Sequence, residues 1–309
     1  MKDNPNFEGG ILLIDKPKGI TSQSAVNEVR RAFGTRQAGH TGTLDPLASG
    51  LLTVLVGRAV KASEYAVCDR KKYEAVFRAG LRTDTEDITG TVLEERDADI
   101  RDDEMDDVTR RFTGTILQVP PMYSAIKIGG KKLYELAREG KTVERTPRPV
   151  TVYSLTSERI SRCEFRLNVE CSSGTYIRTL CADIGDALGT GGCMAELRRT
   201  AVGHFGIDEA ITIEELQRIS ENKEELYKRI IPVEELFSGL PLVCLSEFYM
   251  HLMKNGCEIY LSKLGKNVSE LKPGDRVRIV DSNGLFTAVA EAKEYPNGTA
   301  LKSLKLFRL

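Results

Sequence analysis

Residues 39–50 read GHTGTLDPLASG, a stretch rich in glycine and threonine that interrupts the regular patterns on either side. Glycine permits close backbone approach and positive φ, and Pro46 favours extended geometry at Asp45. The stretch therefore predicts an ordered loop that presents the carboxylate of Asp45, a group able to act as nucleophile or general base. Most Asp-Pro pairs only start a turn, and a lone histidine such as His40 is more often structural, so the loop alone leaves both interpretations open.

Regular elements are predicted on both sides of this loop from apolar periodicity and capping residues. The predicted strands cover residues 11–14, 51–56, 73–79 and 163–171. The predicted helices start at Thr21 or Ser22, Asp102, Leu133 and Tyr176, and they end near Gly34, Phe112, Arg138 and Gly189. Strands and helices are mixed without regular βαβ alternation, which indicates an α+β fold.

The pattern of predicted elements changes near residue 238. A helix predicted at 246–254 precedes strand-like runs at 276–280, 285–290 and 300–307. Asp-Ser-Asn-Gly at 281–284 is typical of a hairpin turn between the first two runs. We therefore expect two domains, residues 1–238 and a small β-rich module of residues 239–309.

The composition excludes several protein classes. The chain has 309 residues, 41% of them hydrophobic, which is enough for about two buried cores. No stretch approaches the roughly 20 apolar residues of a membrane span, and the polar start at residues 1–10 has no apolar signal core. These features predict a soluble cytoplasmic protein with no membrane partner.

No cofactor is expected. The seven cysteines are odd in number, form no Cys-x-x-Cys pair and lie apart from the three histidines, so neither a metal site nor a disulfide framework is predicted. Most of these cysteines are expected to be small core residues. Neither the Gly-x-x-x-x-Gly-Lys phosphate loop nor the Gly-x-Gly-x-x-Gly fingerprint is present, which argues against a nucleotide cofactor.

The charge is polarised although the net charge is only −1. Acidic residues are concentrated at 94–107. Residues 121–150 hold seven Lys or Arg against three Glu, and residues 241–309 hold ten against seven Asp or Glu. A nucleic-acid partner requires a basic patch and not a basic total, so the pattern is compatible with RNA and equally with an ordinary solvated surface.

Two further polar segments are candidates for a site. Residues 82–87 read RTDTED and follow the predicted strand that contains Tyr73. This loop either orders a site or only turns the chain, and its residues alone favour the turn. Tyr73 either stacks on a base or lies in the core. Arg178 falls in the first turn of a predicted helix, where a surface position is the simplest interpretation. If it paired with a catalytic carboxylate it would favour and orient the ionised form.

Taken together, six segments resemble the bacterial tRNA pseudouridine-55 synthase family. They occur in the family's order and extend over nearly the whole chain: DKPKG at 15–19, the loop at 39–50, RTDT at 82–85, PPMYSAIK at 120–127, GTYIR at 174–178 and LRR at 197–199. The resemblance implies the pseudouridine synthase fold, a mixed and mainly antiparallel sheet with a central cleft. The tail resembles the PUA RNA-binding module, especially at 271–277 (LKPGDRV).

The resemblance also implies roles for individual residues. Asp45 matches the catalytic aspartate, and Arg178 matches the arginine that pairs with it. Tyr73 matches the tyrosine that stacks on the target base. Of the remaining matches, Tyr176 and Leu197 correspond to contacts with the flipped uracil and His40 to a residue that helps to extrude the nucleotide.

Residues 121–150 match a basic insert that closes over the T-arm stem-loop of tRNA. The RNA-binding lysines expected from these matches are Lys16, Lys127, Lys131 and Lys132. The implied partner is tRNA, with no obligatory protein partner and a monomeric enzyme. The two domains would then be a catalytic domain with its insert and an RNA-binding module.

The implied reaction isomerises uridine 55. It breaks the N1–C1′ bond, turns the uracil and rejoins it through C5, so it needs no metal or nucleotide. Flipping the base costs a few kcal/mol, and stacking on Tyr73 would offset roughly 1–3 kcal/mol. The carboxylate could attack C1′, attack C6 or remove a sugar proton. Two alternatives stay open: a guide-RNA-dependent relative from archaea and eukaryotes, and an RNA-binding or tRNA-folding protein in which catalysis is incidental.

Overall fold

The computed structural model describes residues 9–65, 70–265, 268 and 270–308. The expectations for the N-terminal segment up to residue 8 and for Cys68 fall outside these residues. The strands are β1 (Gly9–Lys16), β2 (Ala38–His40), β3 (Ser49–Gly57), β4 (Arg70–Ala79), β5 (Leu81–Thr83), β6 (Val92–Glu95), β7 (Gly114–Gln118), β8 (Lys127–Ile128), β9 (Lys131–Lys132), β10 (Arg148–Arg159), β11 (Glu164–Ser172), β12 (Gly192–Val202), β13 (Phe205–Gly206), β14 (Ile211–Thr212), β15 (Leu242–Cys244), β16 (Ile259–Tyr260), β17 (Arg276–Val280), β18 (Phe286–Tyr295) and β19 (Gly298–Leu306).

The α-helices are α1 (Ser22–Phe33), α2 (Asp102–Arg111), α3 (Leu133–Arg138), α4 (Ile177–Ala187), α5 (Ile213–Ile219), α6 (Lys223–Lys228) and α7 (Glu247–Lys254). Short 3₁₀ turns lie at Arg58–Ala62, Ile207–Glu209, Val233–Phe237 and Leu261–Lys263.

The larger sheet contains ten strands. Its main path runs β14-β1-β3-β12-β4-β11-β10-β7, and β2 and β13 pair with β3 and β12. Two pairs are parallel, β1 with β14 and β3 with β12, and the other pairs are antiparallel. The predicted α+β fold with a mixed, mainly antiparallel sheet is confirmed.

The elements predicted from clean patterns form as expected. In β11, Phe165, Leu167 and Val169 are buried on the core face while their neighbours lie toward solvent. Helix α1 begins after Thr21, whose hydroxyl accepts from the Ser24 amide, and it ends at Gly34 in the left-handed region, at φ 63°.

Other elements differ from the sequence expectation. The cap of α2 is Arg101 and not Asp102, because the Arg101 amide donates to the Glu104 carboxylate. Strands β10 and β12 were not predicted. In β12, register shifts after Met194 and Arg199 break the period-two alternation that identifies a strand in sequence.

The smaller sheet has five strands in the order β15-β17-β18-β19-β16. The hairpin predicted at 281–284 joins β17 to β18, and β18 continues to Tyr295 before a second hairpin leads into β19. Phe237, Phe286 and Phe307 pack together against apolar side chains of β1 and β3, which joins the two sheets. A cavity of about 580 Å³ lies beside this cluster, and none of the candidate site residues line it.

The cysteines only partly follow the core expectation. Three of those in the described residues, Cys171, Cys181 and Cys193, are buried. Cys244 and Cys257 are exposed and are exceptions to the expectation that most of the cysteines lie in the core. Among the described residues, no helix combines the length and apolar character needed to cross a membrane.

Candidate active site

Asp45 lies in the loop between β2 and β3, and its side chain is 40% exposed. The loop is held at both ends of the Asp-Pro pair. The Ala48 amide donates to the Asp45 carbonyl at 3.1 Å, and the Gly19 amide donates to the Pro46 carbonyl at 2.7 Å. These bonds fix the backbone of the loop, and the carboxylate remains partly exposed. The loop therefore presents Asp45 as the sequence predicts.

The first turn of α1 supports the residue before Asp45. Ser22 is 3% exposed, and its hydroxyl donates to the Leu44 carbonyl and accepts from the Leu44 amide, both at 2.8 Å. One side chain therefore satisfies both backbone groups of Leu44, which is itself buried in the core. The sequence predicts only a helix-capping role for Ser22.

Arg199 supports the other side of the same loop. It lies on β12 with 1% of its surface exposed, and its guanidinium donates to the carbonyls of Gly42, Thr43 and Leu51 at 3.1, 3.3 and 2.7 Å. Tyr73 is its cross-strand neighbour on β4. Arg199 falls in the motif at 197–199, but the sequence predicts no role for it.

Arg178 connects the loop to a second carboxylate. It lies in the first turn of α4, with 6% of its side chain exposed, so the surface interpretation was wrong. Its Nη2 lies 3.1 Å from Oδ2 of Asp45, and its Nη1 lies 3.5 Å from Oδ2 of Asp87. The same nitrogens donate to the carbonyls of Thr85 and Tyr123 at 3.2 and 3.0 Å.

The polar loop at 82–87 does more than turn the chain. Asp87 is 5% exposed, and its carboxylate accepts from the hydroxyl of Thr85 and from the amide and hydroxyl of Thr89 in addition to Arg178. Burial of a carboxylate is costly unless it is paired and hydrogen-bonded, and Asp87 meets both conditions. The turn-only interpretation was therefore wrong, because Asp87 anchors the arginine that contacts Asp45.

The aromatic and apolar candidates lie on neighbouring elements. Tyr73 is 8% exposed, and burial raises the pKa of its hydroxyl although the Arg199 guanidinium opposes the shift. Leu197 lies on β12 opposite Ala75 of β4, two residues from the pair formed by Arg199 and Tyr73. Tyr73 and Leu197 are thus placed along the same pair of strands.

Tyr176 and His40 lie at the edges of the site. Tyr176 precedes α4, and its amide and carbonyl bond to the side chain of buried Gln118 at 2.8 and 3.0 Å. His40 ends β2, and burial, reinforced by Arg199, lowers the pKa of its imidazole. Its Nδ1 is buried without a hydrogen-bond partner. Among the described residues, neither side chain forms a hydrogen bond or ion pair with Asp45, so their roles stay predictions.

Lys16 is buried, whereas an RNA-binding lysine is expected to be exposed. It is fully buried, and its ammonium donates to the carbonyls of Pro17 and Ile20 at 2.9 Å each. Burial lowers its pKa to about 8, and the nearby Asp45 carboxylate opposes that shift. A buried ammonium cannot reach an exposed phosphate, so the structure corrects the expectation: Lys16 braces the turn beside the Asp45 loop.

The other three lysines lie on the segment between β7 and β10. Lys127 and Lys132 are directly opposite each other in the β8–β9 hairpin, and Lys131 is 59% exposed with an ion pair to Glu139. Lys132 contacts Tyr134. None of the three contacts Asp45, but the segment reaches the site through the Tyr123 carbonyl, which accepts from Arg178.

The geometry defines a partly exposed carboxylate held by a buried arginine, beside the central strands β3, β12 and β4. Its backbone is fixed by Ser22 and Arg199, and Arg178 orients the carboxylate oxygens. Such preorganisation suits a nucleophile or general base because little reorganisation accompanies the reaction. Among the described residues, no cluster of His, Cys, Asp and Glu has the arrangement of a metal site.

Comparison with known proteins identifies the family. Residues 30–177 match the model of the TruB family pseudouridylate synthase N-terminal domain, and residues 178–238 match the tRNA pseudouridylate synthase B C-terminal domain. The chain is 44% identical over 261 residues to a tRNA pseudouridine synthase B of Alkaliphilus oremlandii, covering 84% of this chain and 86% of that protein. It is 42% identical to one from Burkholderia mallei, covering 92% and 93%.

Solved structures agree on the fold. A crystal structure of a Cbf5-Nop10-Gar1 complex matches with a TM-score of 0.76 and 27% identity, covering 100% of this chain and 88% of that one. The archaeal box H/ACA sRNP Nop10-Cbf5 complex matches with a TM-score of 0.75 and 25% identity, covering 100% and 89%. On this evidence, the chain belongs to the TruB family of pseudouridylate synthases.

Proposed function

We propose that this protein isomerises uridine to pseudouridine in tRNA, at position 55 of the T-loop, with Asp45 as its catalytic carboxylate. The observation that carries the proposal is the contact between the partly exposed Asp45 and the buried Arg178. Membership of the TruB family and relatives named tRNA pseudouridine synthase B support the reaction and the substrate class. A tRNA substrate would place the enzyme in the cytoplasm.

Each residue of the site has a proposed part in the reaction. The target uridine leaves the stack and its base packs against Tyr73, with Tyr176 and Leu197 contacting the uracil and His40 assisting extrusion. Arg178 fixes the carboxylate of Asp45 beside the ribose and base. Asp45 then acts at C1′, at C6 or on a sugar proton, the bond from N1 to C1′ breaks, and the uracil rejoins through C5.

The domain assignment supports the same function. We propose a catalytic domain at 1–238, a basic insert at about 121–150 that closes over the T-arm, and a PUA-like module at 239–309. Lys127 and Lys132 support the insert's role, because like charges opposite each other in a hairpin are destabilising without an anion nearby. We propose a monomer that needs no protein partner.

Two alternatives remain distinguishable from this proposal. The solved Cbf5 structures belong to complexes with Nop10 and Gar1, which makes a guide-dependent enzyme the second candidate. The higher identity to tRNA pseudouridine synthase B proteins favours the stand-alone type. The third candidate is a tRNA-folding protein. This hypothesis predicts tRNA binding that is independent of catalysis.

Mapping pseudouridine in an unmodified tRNA transcript after incubation with the purified protein alone tests the proposal. We expect stoichiometric conversion of one uridine in the T-loop. Conversion only after addition of guide RNA and protein partners would contradict the stand-alone assignment, and conversion at a different uridine would contradict position 55.

Replacing Lys131 and Lys132 with Ala should weaken tRNA binding and flatten its salt dependence. Each phosphate contact contributes roughly 0.7–0.9 to the slope of log K against log salt, so the slope should fall by about 1 to 2. Titrations at several salt concentrations measure it. The matched control replaces Lys61 and Lys228, two surface lysines outside the insert, and should leave the slope unchanged. An unchanged slope in the Lys131 and Lys132 variant would count against RNA contact at the insert.

A further inference from the structure

Two buried cations beside the Asp45 loop have no carboxylate partner. Arg199 and Lys16 are 1% and 0% exposed, and neither forms an ion pair with any carboxylate among the described residues. Their donors instead bond to backbone carbonyls. Burial of unneutralised charge is costly, so an anion beside the loop would be favoured. Lys16 is fully enclosed, and of these two cations only Arg199 adjoins the partly exposed Gly42.

Gly42 marks the place where an anion has access. A Cβ at this position would lie 3.4 Å from Nζ of Lys71 and 3.7 Å from Nη1 of Arg199. Lys71 is half-buried and comes from β4, and Gly42 is itself partly exposed. The missing side chain therefore leaves a small space between an ammonium and a guanidinium, next to a partly exposed stretch of backbone.

Backbone conformation does not explain the glycine. Gly42 is not among the residues with positive φ, whereas Gly50 in the same loop has φ 102° and rests directly on the Arg199 backbone. A Cβ at Gly42 would meet its neighbours only at ordinary contact distances. A methyl group would therefore fit beside Gly42, and it would occupy the space that adjoins the Lys71 ammonium and the Arg199 guanidinium.

We propose that Gly42, Lys71 and Arg199 form a subsite for one phosphodiester of the RNA, next to the nucleotide whose base is flipped toward Asp45. Arg199 has five N–H donors, and three N–H···O bonds run from its guanidinium to the loop carbonyls. Lys71 supplies a flexible point charge. The inference rests on the proposed function and assigns the loop a second role, in which it positions the backbone of the substrate as well as the carboxylate.

A neutral phosphate analogue tests the subsite directly. Minimal T-arm RNAs carry one uncharged methylphosphonate either 5′ or 3′ of the target uridine, and binding is measured with Asp45→Asn protein so that the RNA stays unreacted. We expect one of the two substitutions to weaken binding about tenfold, the size of one charge-assisted hydrogen bond. In Lys71→Gln protein the same substitution should weaken binding clearly less, because one of the two cationic partners is already lost.

Lys72→Gln is the matched control for Lys71→Gln. Lys72 is the next residue of β4, is exposed and lies 4.0 Å from Glu170. It should keep the full sensitivity to the methylphosphonate. Two results would overturn the subsite. One is equal sensitivity to the methylphosphonate in the Lys71 and Lys72 variants. The other is no loss of binding with either analogue in the Asp45→Asn protein that keeps both lysines.

Gly42→Ala provides a second test that leaves the charges in place. The new methyl group should block the space and lower kcat/KM about tenfold, with an unchanged melting temperature because its contacts are unstrained. Gly39→Ala is the control, since a Cβ there meets nothing within 4 Å and its φ is also not positive. Full activity in Gly42→Ala would contradict the subsite.

Normal pseudouridine formation with no methylphosphonate effect would refute only this inference, whereas absence of pseudouridine in the unsubstituted protein would refute the proposed function.

Discussion

Asp45→Asn is expected to abolish pseudouridine formation, lowering its rate by at least about 10³-fold, while tRNA binding stays near normal. The substitution keeps the shape of the side chain and one oxygen for Arg178 but removes the charge needed for nucleophilic or base chemistry. The side chain is 40% exposed and lies outside the core, so the fold should be retained. Pseudouridine mapping and a binding titration on the same protein measure the two effects.

The control for this prediction is Asp97→Asn. Asp97 has 89% of its side chain exposed and pairs with Arg162 on the surface, so neither binding nor conversion should change. Substantial residual conversion by Asp45→Asn would refute its assignment as the essential carboxylate. Equal loss of binding and conversion would instead favour a protein whose main role is to bind or fold tRNA.

The parts of the fold that sequence predicted well are those with local signals. Helix α1 has a hydroxyl cap at Thr21 and a left-handed glycine at its end, and β11 alternates without interruption. Both signals depend only on neighbours in the chain. Strand β12 lies in the centre of the sheet and was missed, because its register shifts and its buried Arg199 hide the expected alternation.

The site shows the same division between local and tertiary information. The loop that presents Asp45 was predicted from its glycines and Pro46, and the family resemblance predicted its contact with Arg178. The anchoring role of Asp87 was missed, because it depends on a loop and a helix that are distant in sequence and meet only in the fold. Lys16 was misassigned because a lysine in a turn is usually exposed, and only the folded chain brings two carbonyls around its ammonium.

The second large effect is expected for Arg178→Met. This change leaves the Asp87 carboxylate, 7% exposed, without its cationic partner. Removal of one member of a buried ion pair typically costs about 3–5 kcal/mol. It also frees the carboxylate of Asp45, and misplacement of a reacting group by about 1 Å can cost 10²-fold in rate. We therefore expect a loss of roughly 3–5 kcal/mol in the free energy of unfolding by urea, together with at least about a 10²-fold loss in kcat.

A second substitution separates these two effects. Adding Asp87→Asn to Arg178→Met removes the uncompensated buried charge, and the amide can still accept from the amide and hydroxyl of Thr89. Stability should then recover most of its loss, because a buried polar group that keeps its hydrogen bonds costs far less than an unpaired charge. Activity should not recover, because the carboxylate of Asp45 still lacks the guanidinium that orients it at 3.1 Å. Recovery of both properties would mean that Arg178 acts only as a structural partner of Asp87, whereas recovery of stability alone assigns it to the positioning of Asp45.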